Sequence, residues 1–278
     1  MLTVDVIIPA YNAAGTIEAT IRSVLAQTDP PDHIIIVDDG SNDETATLAA
    51  SLDPSVTVVR QSNGGQGCAR RRGTTVSNAD LLLFLDSDDL LQPNAIEVLT
   101  ATLLSRPECS LAYCRAELFR ESTNNSRTLD NLDDADGDVW TRLLRRNFIR
   151  SPGCVLMRRS ALLEVGGWEP SRDSQGCEDW DLWLRLAEHG PFARVTDDLL
   201  RYRVHPSNFS GRLEAMDDSC MWVLRKHLAH QRRKAVTAAQ RGHLLLAARA
   251  GFWATLMLPR SAARPITRLI KRAIYASR

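Results

Sequence analysis

The chain has 278 residues, enough to bury a full core as one large domain or as a domain with an appendage. Its hydrophobic fraction of 44% and charged fraction of 24% are those of an ordinary soluble globular protein, which sets aside disordered and fibrous classes. The formal net charge is zero, and no nucleic-acid partner is expected.

In chain order, Val4–Ile8 is a first apolar strand, and Pro9 is expected to stop it. Met1 leads straight into it without a signal-peptide pattern. Thr16–Ala26 places Ile17, Ile21, Val24 and Leu25 on one helical face. His33–Val37 is a second strand, ending in Asp38-Asp39-Gly40. Ser41-Asn42-Asp43-Glu44 has the form of a capping box, predicting a helix from about Asn42 to Leu52. Val56–Val59 is a third strand. Asn63-Gly64-Gly65-Gln66-Gly67 is a turn that leads into a helix reaching about Ser77. Leu81–Leu85 is a fourth strand, and a helix covers Pro93–Leu104. Strands alternating with amphipathic helices predict a parallel sheet with right-handed crossovers.

Beyond Pro107 the pattern loosens. Ser110–Phe119 reads as a strand and Glu121–Asp138 as a polar, acidic loop. Val139–Asn147 and Ser160–Val165 read as helices, and Gly166-Gly167-Trp168 as a turn carrying an exposed aromatic. Leu182–His189 is a helix ended by Gly190, and Asp197–Val204 a further strand. From Leu213 the chain reads as helices joined near Pro259 and Pro265. Its apolar run Leu244–Leu258, interrupted by Arg249, is too short to span a bilayer. No internal repeat is present. Six cysteines (Cys68, Cys109, Cys114, Cys154, Cys177, Cys220) show no CxxC pair or zinc spacing, which points to a reduced, cytoplasmic setting.

The zero net charge hides an asymmetry. All 34 acidic residues lie at or before Asp218. The first 218 residues carry 21 basic residues against them, a net of −13, while Ser219–Arg278 holds 13 Lys and Arg and no acid. A basic, leucine-rich tail points to an anionic partner, contact with the inner face of a membrane or with another subunit, the plain alternative being a helix that simply covers the core.

Chemistry gathers at strand ends. The fourth strand stops in three carboxylates, Asp86, Asp88 and Asp89, which would be very costly inside a dry sheet. They belong at its C-terminal rim, where open α/β sheets bind ligands. Oxygen ligands at that spacing suit Mg²⁺ or Mn²⁺; the plain alternative is a cap for the helix near Pro93. The first strand delivers Pro9, Ala10, Tyr11 and Asn12 to the same rim, and the second delivers Asp38 and Asp39. Tyr11 offers a flat face for a base and Asp39 an acceptor for a ring N–H, against turn packing and helix capping as the plain readings. Asp86 could hold a ribose hydroxyl and Asp88 the metal.

Gly65-x-Gly67 follows the third strand rather than the first, so it is no dinucleotide fingerprint. Of Arg70, Arg71 and Arg72, one guanidinium could reach a base or phosphate, the others being solvated. Glu178 and Asp179 stand at a helix start, where the dipole stabilises carboxylates and would keep a general base ionised. His205, beside Arg201 and Arg203, is a candidate metal ligand or diphosphate donor, or else a surface histidine.

These motifs, in order, resemble a family 2 glycosyltransferase with the GT-A fold. The similarity runs from about Val4 to Ser210 through Val6-Ile7-Ile8-Pro9-Ala10-Tyr11-Asn12, Val37-Asp38-Asp39-Gly40-Ser41, Asn63-x-Gly65 with Ala69-Arg70, Leu85-Asp86-Ser87-Asp88-Asp89, Gly166-Gly167-Trp168 and Glu178-Asp179-x-Asp181-Leu182-Trp183. Any one is weak; the ordered set is specific.

The resemblance implies an α/β fold with a mostly parallel central sheet flanked by helices, spanning 1–212, with a nucleotide-sugar half (1–112) and an acceptor half (113–212). A basic helical extension at 213–278 follows. It implies a nucleoside-diphosphate sugar donor, an inverting reaction and Mn²⁺ or Mg²⁺. Pro9, Ala10, Tyr11, Asn12, Asp39, Arg70, Asp86, Ser87, Trp168 and Glu178 would bind the nucleotide sugar. Asp88 and His205 would hold the metal, and Asp179 would be the base. Arg71 departs from the pattern, standing where Asn is usual. The acceptor expected is a bacterial surface glycan or a lipid-linked precursor. The alternatives are a nucleotidyltransferase, which would bring a basic loop after the first strand where this chain has Ala10-Tyr11-Asn12-Ala13, and a non-catalytic sugar-nucleotide-binding scaffold.

Overall fold

The computed structural model describes residues 2–120, 125–128, 135–205 and 213–240. It divides into two compact units, Met1–Met216 and Asp217–Arg278. The first contains a nine-stranded sheet.

The first half of that sheet is parallel. Strands β1 (Val4–Ala10), β2 (His33–Asp38), β3 (Val56–Arg60) and β4 (Leu81–Phe84) lie in the order β3-β2-β1-β4. Crossover helices α1 (Ile17–Leu25), α2 (Thr45–Leu52) and α3 (Gln66–Val76) join them. All residues of β1 and β4 are buried, which explains their continuous apolar runs. Helix α3 meets β1 at van der Waals distance because residue 73 is glycine: a Cβ there would lie 2.3 Å from Ile7 Cγ2.

Two local expectations fail for physical reasons. Pro9 does not end β1. Ile7 C=O accepts from Leu85 N–H on the β4 side, so Pro9, two residues on, directs its missing N–H to that same side, beyond the end of β4. Toward β2 the ladder stays intact, with Ala10 C=O accepting from Asp39 N–H at 2.8 Å. The second failure is the capping box, since α2 begins at Thr45 with no side-chain cap. Its residues instead pin the loop after β1. Ser41 Oγ accepts from Asn12 N, Thr45 Oγ1 from Ala13 N and Asp43 Oδ2 from Ala14 N. Asn12 sits at φ 49°, a conformation asparagine tolerates.

The second half is mixed. Strand β5 (Leu90–Leu91) and helix α4 (Ala95–Ser105) lead to the long β6 (Leu111–Arg120), which forms a hairpin with β7 (Asn125–Thr128). The stretch expected to be loop throughout therefore contains a strand. After α5 (Trp140–Arg145), β8 (Val155–Arg158) inserts antiparallel between β4 and β6. Then come α6 (Arg159–Glu164), α7 (Glu178–His189) and β9 (Phe192–Arg203), which runs parallel to β6 and antiparallel to β5.

Trp168 is 1% exposed, not the exposed aromatic expected. Helix α6 ends in a Schellman turn, with Gly166 N–H donating to Leu163 C=O and Gly167 N–H to Leu162 C=O. Both glycines have positive φ, 88° and 74°. Trp168 follows that turn into the core, where it packs edge-on against Phe84 and Trp183. Burying so large a ring is worth more than exposing it to water.

In the second unit, helix α8 (Leu213–Gln240) begins just before the boundary and is the described part. The predicted helices near Pro259 and Pro265 and the run Leu244–Leu258 lie outside the described residues. Among the described residues, no helix is long and apolar enough to cross a membrane.

Candidate active site

The C-terminal rim of the parallel strands carries the predicted side chains. Tyr11, after β1, is 50% exposed. Asp38 is buried, accepts from Ser41 N and pairs with Arg60 Nε at 2.7 Å. Asp39 is also buried. Its Oδ1 accepts from Gln61 Nε2 (2.7 Å) and Gly64 N (2.9 Å), and its Oδ2 from Gly65 N (2.8 Å). This carboxylate therefore fastens the glycine-rich turn. Gly67, one residue into α3, lets that helix approach Glu169 C=O, which a Cβ would meet at 2.3 Å. A cleft between turn and α7 is lined by Gly65, Gln66, Gly67, Glu169, Gln175 and Glu178.

Arg70 joins the two acidic clusters. Its guanidinium is 2% exposed, with one nitrogen 2.7 Å from Asp86 Oδ1 and another 3.3 Å from Glu178 Oε1. It stacks 4.8 Å above the Trp168 ring. Burial works against its charge, and Asp86 and Glu178 outweigh burial, so it stays protonated. Arg70 and Trp168 are thus interior parts of the site rather than exposed contacts. Arg71 and Arg72 are exposed, as expected.

The β4 rim concentrates negative charge. Asp88 Oδ2 lies 2.8 Å from His205 Nε2. Asp89 is buried, accepting from Arg203 N and Ser151 Oγ. Burial, then repulsion from Asp86, raises Asp88, and burial with both neighbouring carboxylates raises Asp89 well above the usual range. Excess negative charge of this kind is what a cation relieves. Asp88 and His205 each keep about a third of their side chain exposed, 29% and 31%. Among the described residues, no group of three or more His, Cys, Asp or Glu is placed to cage a metal alone. A carboxylate–imidazole pair fits a divalent ion that fills its remaining positions with water and phosphate oxygens.

Asp179, in the first turn of α7, accepts from Asn147 Nδ2 at 3.2 Å. It is not kept ionised by the helix dipole as expected. Burial first, then repulsion from Glu178, raises it to about 7, with Arg70 offsetting part of the rise. A carboxylate poised there can take a proton near neutral pH and hold it.

Sequence reading missed three supports: Asn147 beside Asp179, Ser151 bonded to both Asp86 and Asp89, and Gln61 on Asp39; Arg203, singled out beside His205, has its Nε donating to Asp88 C=O. Ser151-Pro152-Gly153 was the available signal for one, a side-chain-capped turn.

Residues 5–166 match the family described as glycosyl transferase family 2. The chain belongs to this family. It is therefore a glycosyltransferase, and its fold is GT-A. An uncharacterized glycosyltransferase of Rickettsia prowazekii is 28% identical over 233 residues, covering 80% of this chain and 72% of that one. The chondroitin synthase of Pasteurella multocida is 25% identical over 237 residues, 82% of this chain and 23% of the synthase. Among solved structures, S. aureus TarS in complex with UDP-GlcNAc superposes with a TM-score of 0.63 at 17% identity, covering 74% of this chain and 60% of TarS. That likeness speaks to fold. The chain spans well under two thirds of the synthase, so the whole synthase's activity does not transfer to it.

Proposed function

We propose that this glycosyltransferase moves a sugar, with inversion, from a nucleoside-diphosphate sugar to a hydroxyl of a glycan or lipid-linked acceptor, with Asp179 as general base. The observation that carries the reading is the Arg70 bridge: it fixes the strand-end carboxylate Asp86 and the helix-start pair Glu178-Asp179 in one site. A UDP-sugar is the favoured donor, since the fold neighbour TarS was crystallised with UDP-GlcNAc.

The roles follow from the side chains. Tyr11 stacks on the base, and Pro9, Ala10 and Asn12 shape that loop. A carboxylate offers about four acceptor positions, and three at Asp39 are taken, leaving one for a ring N–H. Asp86 and Ser87 face the ribose, with Arg70, Trp168 and Glu178 holding Asp86 in position. Asp88 and His205 would hold Mn²⁺ or Mg²⁺, which when bound supplies positive charge for the diphosphate leaving group. Asp179 draws the proton from the acceptor hydroxyl as it attacks the anomeric carbon from the face opposite the diphosphate. Asn147 keeps Asp179 turned toward that face. The basic tail rests on an anionic membrane surface.

The test is Asp179→Asn in the full chain with UDP-GlcNAc and Mn²⁺. Donor binding by calorimetry should persist while turnover falls at least ~100-fold, the scale of a lost base. Near-normal turnover would remove Asp179 from the role, and absence of any UDP release by the wild type, with or without acceptor, would favour a binding scaffold.

A further inference from the structure

One patch beside the site breaks the charge pattern of the first 218 residues, whose net charge is −13. Residues 139–150 contain Arg142, Arg145, Arg146 and Arg150 and no acid, and all four are exposed. Several other surface arginines meet carboxylates, Arg22 with Glu18, Arg106 with Asp136, Arg115 with Asp198 and Arg201 with Glu117, while Arg71 and Arg72 on α3 do not. Among the described residues, Arg142, Arg145 and Arg146 have no such partner. Arg150 lies over the Tyr202 ring at 5.8 Å.

The segment is tied to the acidic residues of the site. Trp180 Nε1 donates to Leu143 C=O at 2.8 Å, Asn147 Nδ2 to Asp179 Oδ2 at 3.2 Å, and Ser151 Oγ to Asp86 Oδ2 at 3.3 Å. Trp140, Leu143 and Leu144 anchor α5 in the core, so Arg142 and Arg145, three residues apart, share its outer face. Arg146 follows in extended backbone and adjoins Asn147. The base-binding loops Tyr11 and Asp39 belong to the opposite, parallel half of the sheet. An acceptor approaching Asp179 from the side away from those loops would pass the segment that carries these arginines, since Asn147 of that segment bonds Asp179.

Unpaired like charges held together repel one another, and guanidinium forks match carboxylate and phosphate oxygens. We propose that the acceptor is an anionic glycan, its repeating unit bearing carboxylate or phosphate, gripped by Arg142, Arg145 and Arg146. This rests on the transferase reading above and specifies its acceptor.

The test compares the full wild-type chain with the triple variant Arg142→Glu, Arg145→Glu, Arg146→Glu. The probes are oligosaccharides of matched length: a carboxylated hyaluronan fragment, a glycerol-phosphate oligomer and a neutral chitin fragment. Binding is read by fluorescence anisotropy at low and high salt. Slow UDP release from UDP-GlcNAc without acceptor is read in parallel. At least one anionic probe should bind ~10-fold or more tightly than the neutral one, weaken with salt, and lose ~10-fold or more in the variant. Which probe wins separates carboxylate from phosphate. UDP release without acceptor should not change. Equal binding of neutral and anionic probes, or a variant indifferent to the change, overturns the proposal. So does a variant that loses pelleting with phosphatidylglycerol vesicles while keeping glycan binding, since the patch would then serve a lipid surface. If the wild type releases no UDP even with these oligosaccharides added as acceptors, the transferase reading fails by itself, while the binding comparison still decides the charge preference.

Discussion

Asp179 shows how a few neighbours set a residue's chemistry. A carboxylate raised from 3.8 to about 7 is an effective base only above that pH. Transferase activity per enzyme should therefore climb roughly tenfold per pH unit below 7 and level off above it. A flat profile from pH 5.5 to 8.5 would deny that Asp179 is the titrating base. The same shift affects stability with a definite sign. The folded chain holds this proton more tightly than the unfolded one, so the stabilisation is full below about pH 4 and is lost as pH rises through 7. Asp179→Asn should remove that loss, making the variant more stable than wild type at pH 8 by about 2 kcal/mol, after discounting for solvent, but not at pH 4. Arg70 carries the opposite sensitivity. Its removal would leave Asp86 and Glu178 facing each other without their cation. Arg70→Ala should cost about 3–5 kcal/mol in urea unfolding. A loss under 1 kcal/mol would show that the two carboxylates do not need it. That this arginine matters was legible in Ala69-Arg70; that it works from the interior was not, because both of its carboxylate partners lie in distant segments.

At the level of elements, most helices and strands of the parallel half were readable because each is a local pattern. The seams were not. Ser41-Asn42-Asp43-Glu44 has the spacing of a cap, yet its side chains bond backbone amides some thirty residues earlier. Sequence spacing cannot distinguish those uses, since both satisfy the same kind of donor. Two-residue β5 left no signal, because a strand that short gains its identity from its neighbours. The α3–β1 seam is the tightest of these contacts, and it makes a prediction. Gly73→Ala forces a methyl to 2.3 Å from Ile7 Cγ2 and should destabilise by about 1–3 kcal/mol despite alanine's better helix propensity. Ile7→Ala removes the obstructing methyl, so the double variant should be less destabilised than the two losses added together. Strict additivity in urea melts would mean the helix shifts freely.

For the molecule as a whole, the distribution of charge is more telling than its sum. A body of net −13 would be repelled by an anionic bilayer, yet a lipid-linked acceptor is among those proposed. The 13 basic residues after Asp218 can reverse that repulsion, because each Lys or Arg near an anionic surface contributes about 1 kcal/mol. Three such charges give roughly 3 kcal/mol, more than a hundredfold in partitioning. Arg232-Arg233-Lys234 are consecutive, so reversing all three to Glu concentrates the effect in one place. In low salt, the wild-type chain should pellet with phosphatidylglycerol vesicles and not with neutral phosphatidylcholine. The reversed tail should reduce pelleting at least ~100-fold in apparent affinity, and raised salt should do the same to wild type. Acceptor-free UDP release should stay the same, because no residue of the donor site lies in the tail. If the reversed chain still pellets like wild type, the tail's charge is directed at a protein partner, and a change in oligomeric state by sedimentation becomes the signature to expect.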